Sequence, residues 1–167
     1  MGTQFDPKAG NAGGDTSAPS GEYLVALVWF ERRRNKAKTA DYLRGKYEVV
    51  SGDQAGKTFF ANQSLDLTTA AGRLSVWCAS VGHEEPFDLD DDKAIRRAFL
   101  NRPFRATVER AEKGGYVNHD IKRMTVAAKL TDAERKAIEG WVLDREQERA
   151  TSGKSDDEDD ETDDIPF

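Results

Sequence analysis

The sequence predicts a mainly β domain: a five-stranded barrel with a helical insert between strands 3 and 4, followed by a C-terminal helix and flanked by unstructured ends. Three observations carry that expectation. Five β-type runs are separated by turn-forming residues, and the hydrophobic period lengthens from two to about 3.6 between the third and fourth runs. Both ends lack the apolar residues that a core requires. The chain of 167 residues is long enough for one domain with its own core. Its hydrophobic fraction of 37% and mean hydropathy of -0.75 are low for a fully globular chain, so a share of it is expected to be solvated.

Residues 1–20 are rich in Gly, Ala, Asn and Ser without periodicity and read as a disordered leader. They lack the basic-then-apolar pattern of a signal peptide, and no window of the chain is apolar enough to span a bilayer. EYLVALVWFE, residues 22–31, is the first strand. Strict alternation puts Tyr23, Val25, Leu27 and Trp29 on one face and Leu24, Val28 and Phe30 on the other, so this strand is expected to be buried on both sides for part of its length. A basic loop is expected over Arg32–Ala40, then a strand over Tyr42–Val50, the turn SGDQAG, and a third strand over Lys57–Leu65. Leu74, Trp77, Cys78 and Val81 share one helical face within residues 69–81, and Gly82 is placed to end that helix. A short helix fits 91–100, with Asp90, Asp91 and Asp92 at its positive end and Pro103 beyond it. FRATVERA, the turn KGG and YVNHDIKRMTV read as a hairpin. Thr131 and Glu134 have capping-box spacing and open a helix expected to reach about Arg149. Three strands, a helix and two more strands is the OB-fold order, a small Greek-key barrel that often binds oligonucleotides. The expected domains are therefore an OB-fold over 21–130, a helix over 131–149 and a disordered acidic tail over 150–167.

The net charge of -6 conceals an asymmetry. Residues 151–167 carry eight acids and one lysine, a net of -7, which leaves +1 for the first 150 residues. Within residues 20–130 there are 19 Lys and Arg against 15 Asp and Glu, a net of +4. A mildly basic body with an acidic tail is compatible with a nucleic-acid binder. Arg32, Arg33, Arg34, Lys36 and Lys38 place five cations within seven residues without an acid, in the loop where OB-folds contact phosphates. Tyr42, Arg44 and Lys46 alternate outward from Leu43 and Tyr47, and Lys122 and Arg123 on the last strand could extend the path. Trp29, Tyr42, Phe60 and Tyr116 are candidates for stacking on bases, with core packing an equal alternative for each.

Several features point away from chemistry. A lone cysteine, Cys78, rules out an internal disulfide framework, and two histidines, His83 and His119, argue against zinc. SGDQAGKT misses the phosphate-loop spacing because Gly52 stands one residue too close to Gly56. DLDDD, residues 88–92, lacks the Gly and bidentate Glu of a calcium loop and reads as charge at a helix N-terminus. Asn62-Gln63-Ser64 fits a glycosylation sequon with nothing to direct the chain to a secretory route. No nucleophile–base pair is recognisable, so no enzyme, metal or cofactor is expected.

The chain ends Asp163-Asp164-Ile165-Pro166-Phe167 after the acidic run SDDEDDET. A merely solubilising tail does not need three exposed apolar residues at its end. A terminal Phe offers a partner both a ring and a free carboxylate, the acids steer approach to a basic rim, and Pro166 restricts the backbone before binding. This ending resembles the acidic tip of bacterial single-stranded-DNA-binding proteins. The body, on GEYLVALV, KYEVVSGDQAGKTFFANQSL and FRATVERAEKGGYVNHDIKRM, resembles a phage-encoded family of OB-fold single-stranded-DNA-binding proteins of replication and recombination modules. The resemblance implies sequence-tolerant coating of single strands and recruitment, through the tip, of a nuclease, primase, helicase or recombinase of DNA replication, recombination or repair. It also implies a place in the cytoplasm, that of the bacterial host if the protein is phage-encoded, without a membrane partner; an oligomer is left open. Two rival readings are an adaptor that captures host proteins by its tip without binding DNA, and a nuclease or accessory subunit of a recombination exonuclease.

Overall fold

The computed structural model describes residues 17–152, with side chains through Arg149. The elements are β1 (Gly21–Arg34), β2 (Asp41–Val49), β3 (Thr58–Ser64), α1 (Leu67–Val81), α2 (Asp92–Phe99), β4 (Phe104–Lys113), β5 (Tyr116–Thr125), a 3-10 turn (Ala127–Lys129) and α3 (Asp132–Ser152). All strand pairs are antiparallel, in the order β3-β2-β1-β4-β5. The chain divides into two compact units between Leu130 and Thr131.

In the first unit the sheet curls until β3 and β5 bring Cα atoms within 8 Å of each other, but no ladder joins them. This is the OB-like arrangement expected, left open along one seam. Side chains bridge it. Arg73 of α1 donates from Nε to Gln63 Oε1 of β3 at 2.9 Å, and its Nη2 donates to the Ile121 carbonyl of β5. Phe59 and His119 stack across the same seam with centroids 5.3 Å apart. Ser17 bridges to Thr58, and buried Ala18 places its carbonyl 2.9 Å from His119 Nε2. The fold therefore begins four residues before the expected boundary at Gly21; residues 1–16 of the leader, like the tail from Gly153, lie outside the described residues.

β1 departs from strict alternation. Its register with β2 shifts between Leu27 and Trp29, making Val28 a one-residue bulge. Before the bulge Val25 and Leu27 enter the core, and Leu24 and Ala26 are buried as well, so the strand is covered on both faces as expected. After it the faces exchange: Phe30 packs against the core and Trp29 is 45% exposed. The expectation that Trp29 shares a face with Val25 and Leu27 is thus corrected. At the bulge the end of α2 takes the place of a strand partner, with Asn101 N donating to the Leu27 carbonyl at 2.7 Å. Gly45 leaves room in the core for the Leu27 side chain, since a Cβ there would stand 2.6 Å from Leu27 Cδ1 and require that side chain to move.

The helices obey their sequence signals. Asp66 caps α1 by accepting from Thr68 N, and Gly82 ends it with φ 76. Asp91 caps α2 in the same way, accepting from Lys93 N. α1 and α2 cover one end of the barrel through Trp77 and Phe99, stacked with centroids 3.8 Å apart, beside Tyr47, Phe59 and Phe104. In the second unit the capping box of α3 is formed: Thr131 N donates to Glu134 Oε1 at 2.9 Å and Glu134 N to Thr131 Oγ1 at 3.1 Å. Arg145 lies over the Trp141 ring at 4.9 Å on the same helix.

Replacing Arg73 by Ala removes a charged donor shared by both seam strands. A loss of about 1.5–3 kcal/mol in urea unfolding is expected; an unchanged midpoint would mean that the seam holds without it.

Candidate nucleic-acid interface

Alternation along β2 buries Leu43, Gly45, Tyr47 and Val49 and turns Tyr42, Arg44 and Lys46 outward, as the sequence predicts. On β3, Phe59, Ala61 and Gln63 are buried, and Phe60 and Asn62 face out. With the bulge in β1, the register sets these outward residues in rows across three strands. Trp29, Lys46 and Phe60 form one row, Glu31, Arg44 and Asn62 the next, and Arg33, Tyr42 and Ser64 the third. Trp29 meets Phe60 edge-on at 6.3 Å, and the Arg44 guanidinium sits 4.7 Å from the centre of the Phe60 ring. Phe60 is 39% exposed. Aromatic faces and cations therefore interleave on the outer surface of β1–β3, the strand face by which OB-folds engage oligonucleotides.

The expected basic loop is largely strand. β1 runs through Arg34, and only Asn35–Ala40 connects it to β2. Asn35 shapes that connection, its Oδ1 accepting from Thr39 N at 2.9 Å and its carbonyl from Lys38 N at 2.9 Å, with Lys38 at φ 59. Strand alternation then divides the arginines. Arg32 turns under the sheet, donating from Nη1 to Asp41 at 3.0 Å, from Nη2 to Asp92 at 2.7 Å and to the Leu89 carbonyl. Partial burial opposes its charge, but the hydrogen bonds and charges of Asp92 and Asp41 together outweigh that and hold its pKa above the ordinary value. Arg34 pairs with Asp41 at 3.2 Å. Arg33 alone of the three lies in the aromatic rows, where the Glu31 carboxylate raises its pKa first and the Tyr42 hydroxyl adds to this. Lys36 and Lys38 are exposed at the tip of the connection.

Tyr116 is 75% exposed beside the Gly114–Gly115 turn of the β4–β5 hairpin, the second loop that borders this face in OB-folds. Lys122 bulges from β5 opposite Thr107–Val108 and pairs with Glu109 at 3.4 Å and Asp120 at 3.8 Å; Arg123 follows opposite Thr107. The register sets neither of them against Trp29, Lys46 or Phe60. Glu31 and Asn62 escaped the sequence reading. Period-two counting back from Arg33 and forward from Phe60 would have found both. Burial pushes the Cys78 thiol up against a smaller opposing effect of Arg102, the direction that leaves a thiol unreactive. Among the described residues no group of three or more His, Cys, Asp or Glu could hold a metal ion, and no helix is long and apolar enough to cross a membrane.

The chain belongs to the family described as "Protein of unknown function (DUF669)", whose profile matches residues 5–134. No curated protein matches it.

The two neighbouring arginines should behave oppositely. Arg32→Ala takes the Arg32 donor from Asp92 and the Leu89 carbonyl, leaves Asp41 with Arg34 alone, and should lower stability by about 1–3 kcal/mol. Arg33→Ala, on the exposed face, should stay within about 0.5 kcal/mol of the parent. Thermal unfolding of both variants checks this, and equal losses would contradict the division.

Proposed function

We propose that the protein coats single-stranded DNA with little sequence preference, through the outer face of β1–β3, and recruits other proteins of DNA replication or recombination through its C-terminal tip. One observation carries the first half: Trp29, Phe60 and Tyr42 share an exposed strand face with Lys46, Arg44 and Arg33. Rings grouped on one exposed face and rimmed by cations, unlike apolar residues scattered singly over a surface, are the pattern of an interaction site. Bases stack on aromatic rings whatever their identity, and cations between the rings neutralise the phosphates that follow the stacked bases. Lys36 and Lys38 extend the path at one end and Tyr116 at the other. Arg32 and Arg34 contribute by bracing β1 and the connection through Asp41 rather than by touching a strand. Asp163 to Phe167, outside the described residues, support the second half by the combination of steering charge and terminal ring.

Single strands should be preferred to duplex, with log affinity falling against log salt by about 0.7 per phosphate neutralised. Trp29→Ala and Phe60→Ala should each weaken binding to poly-dT by about 1–3 kcal/mol, and Trp29 emission should quench on binding in the parent. Equal affinity for duplex, or strand binding indifferent to both substitutions, would refute this role for the face.

The tail separates charge from shape. Deleting residues 151–167 should raise strand affinity several-fold at low salt, because tethered acids compete with phosphates, and the gain should shrink as salt screens them. Phe167→Ala keeps every acid, so strand binding should hold while tip-dependent capture of a replication or repair protein is lost. Capture that survives Phe167→Ala would reduce the tip to a charged run.

A further inference from the structure

The described residues also form a cleft of about 1200 Å³ in the first unit, between the β1–β2 connection, α1, the segment from Gly82 to Asp90, and Val126–Ala128. Its floor is apolar. Leu74, Cys78, Phe87 and Leu89 line it, and Leu67 stands at its edge 60% exposed. Its charge is opposite to that of the aromatic face. Six acids line it, Asp41, Asp66, Glu84, Glu85, Asp88 and Asp90, against two cations, Arg32 and Arg34, an excess of four negative charges. Both cations are already committed to Asp41. Asp66 is spent on the cap of α1, and Asp88 accepts from Asp90 N at 2.8 Å. Glu84, Glu85 and Asp90 are exposed, with no ion-pair partner among the described residues. His83, in the same wall, packs edge-on against Phe87 at 5.2 Å, and its Nε2 makes no hydrogen bond.

We propose that this cleft docks a cationic amphipathic segment of a partner protein, its apolar side chains on the Leu74–Phe87 floor and its lysines or arginines against Glu84, Glu85 and Asp90. Charge selects this occupant. A nucleic-acid phosphate meets the unpaired acids and is repelled. The chain's own tail, with eight acids and one lysine over residues 151–167, is repelled likewise. The three carboxylates are already solvated and unpaired, so an incoming cation displaces no internal partner. The inference concerns a different surface from the strand face and stands whether or not that face binds DNA.

The test is nuclear magnetic resonance on the ¹⁵N-labelled full chain with a short leucine–lysine amphipathic peptide as probe. Amide shifts are expected in α1 and residues 83–90. E84Q, E85Q and D90N combined should weaken binding about tenfold, the sum expected of three exposed ion pairs. Ser75→Trp, filling the cleft from the exposed side of α1, should block binding while every acid remains. A peptide with glutamate in place of lysine should not bind. Shifts confined to residues 153–164 would assign the peptide to the acidic tail and overturn the proposal. Equal binding of a lysine peptide without leucine, or no shift at all, would overturn it too. A poly-dT titration of the E84Q, E85Q, D90N variant keeps the two surfaces apart, because strand affinity should not fall when acids are removed from the cleft.

Discussion

Everything in the barrel depends on a seam that backbone hydrogen bonds leave open. A sheet of five strands curls because its strands twist, yet β3 and β5 meet without a ladder, so their facing edges need other partners. Arg73 supplies one by spanning both strands from a helix, and its reach is fixed by the cap at Asp66 and the core contacts of Leu74 and Trp77. The Phe59–His119 stack and the Ala18 carbonyl supply the others. The helical insert is thus not an ornament on the sheet. It plugs one end of the barrel with Trp77 and Phe99 and holds the two edge strands at a common distance.

Bridging the open seam by side chains leaves the outer face of β1–β3 free. None of Trp29, Phe60, Tyr42 or Tyr116 belongs to the core, because Tyr47, Phe59, Trp77, Phe99 and Phe104 fill it. The exposed rings are then available for a ligand, with cations on the same strands at alternate positions. The opposite sign of the cleft beside α1 makes the first unit electrostatically two-sided. A phosphate chain and a basic peptide would be sorted to different surfaces before either made contact.

Much of this was legible in the sequence. The order of elements, the glycine that ends α1, the aspartates at α2 and the capping box of α3 each follow from local chemistry that tertiary contacts do not override. The outward face of β2 was legible for the same reason, since Leu43, Tyr47 and Val49 alternate without interruption. Two things were not. A run of cations after an apolar strand looks like a loop, and only Asp41 and Asp92, 9 and 60 residues away from Arg32, reveal that the strand continues and that Arg32 is bound beneath it. The bulge at Val28 has no marker, because Val, Trp and Phe suit either face of a strand. The aromatic candidates could be named from the sequence but not separated from core residues until Trp29 was seen to have changed sides.

That change of sides makes β1 sensitive to count rather than to composition. Between Leu27 and Trp29 the strand carries one residue more than its partner, and the register of everything from Trp29 to Arg34 is set by that surplus. Loss of Val28 alone would remove the surplus and leave Trp29 opposite Lys46 and Arg33 opposite Tyr42, whereas one residue added after Trp29 would turn Arg33 inward and present Phe30 and Arg32 to solvent. The turn over residues 51–56 joins β2 to β3 outside both strands, whereas a residue added to β1 must be taken up in a bulge, as Val28 is, or exchange the faces beyond it.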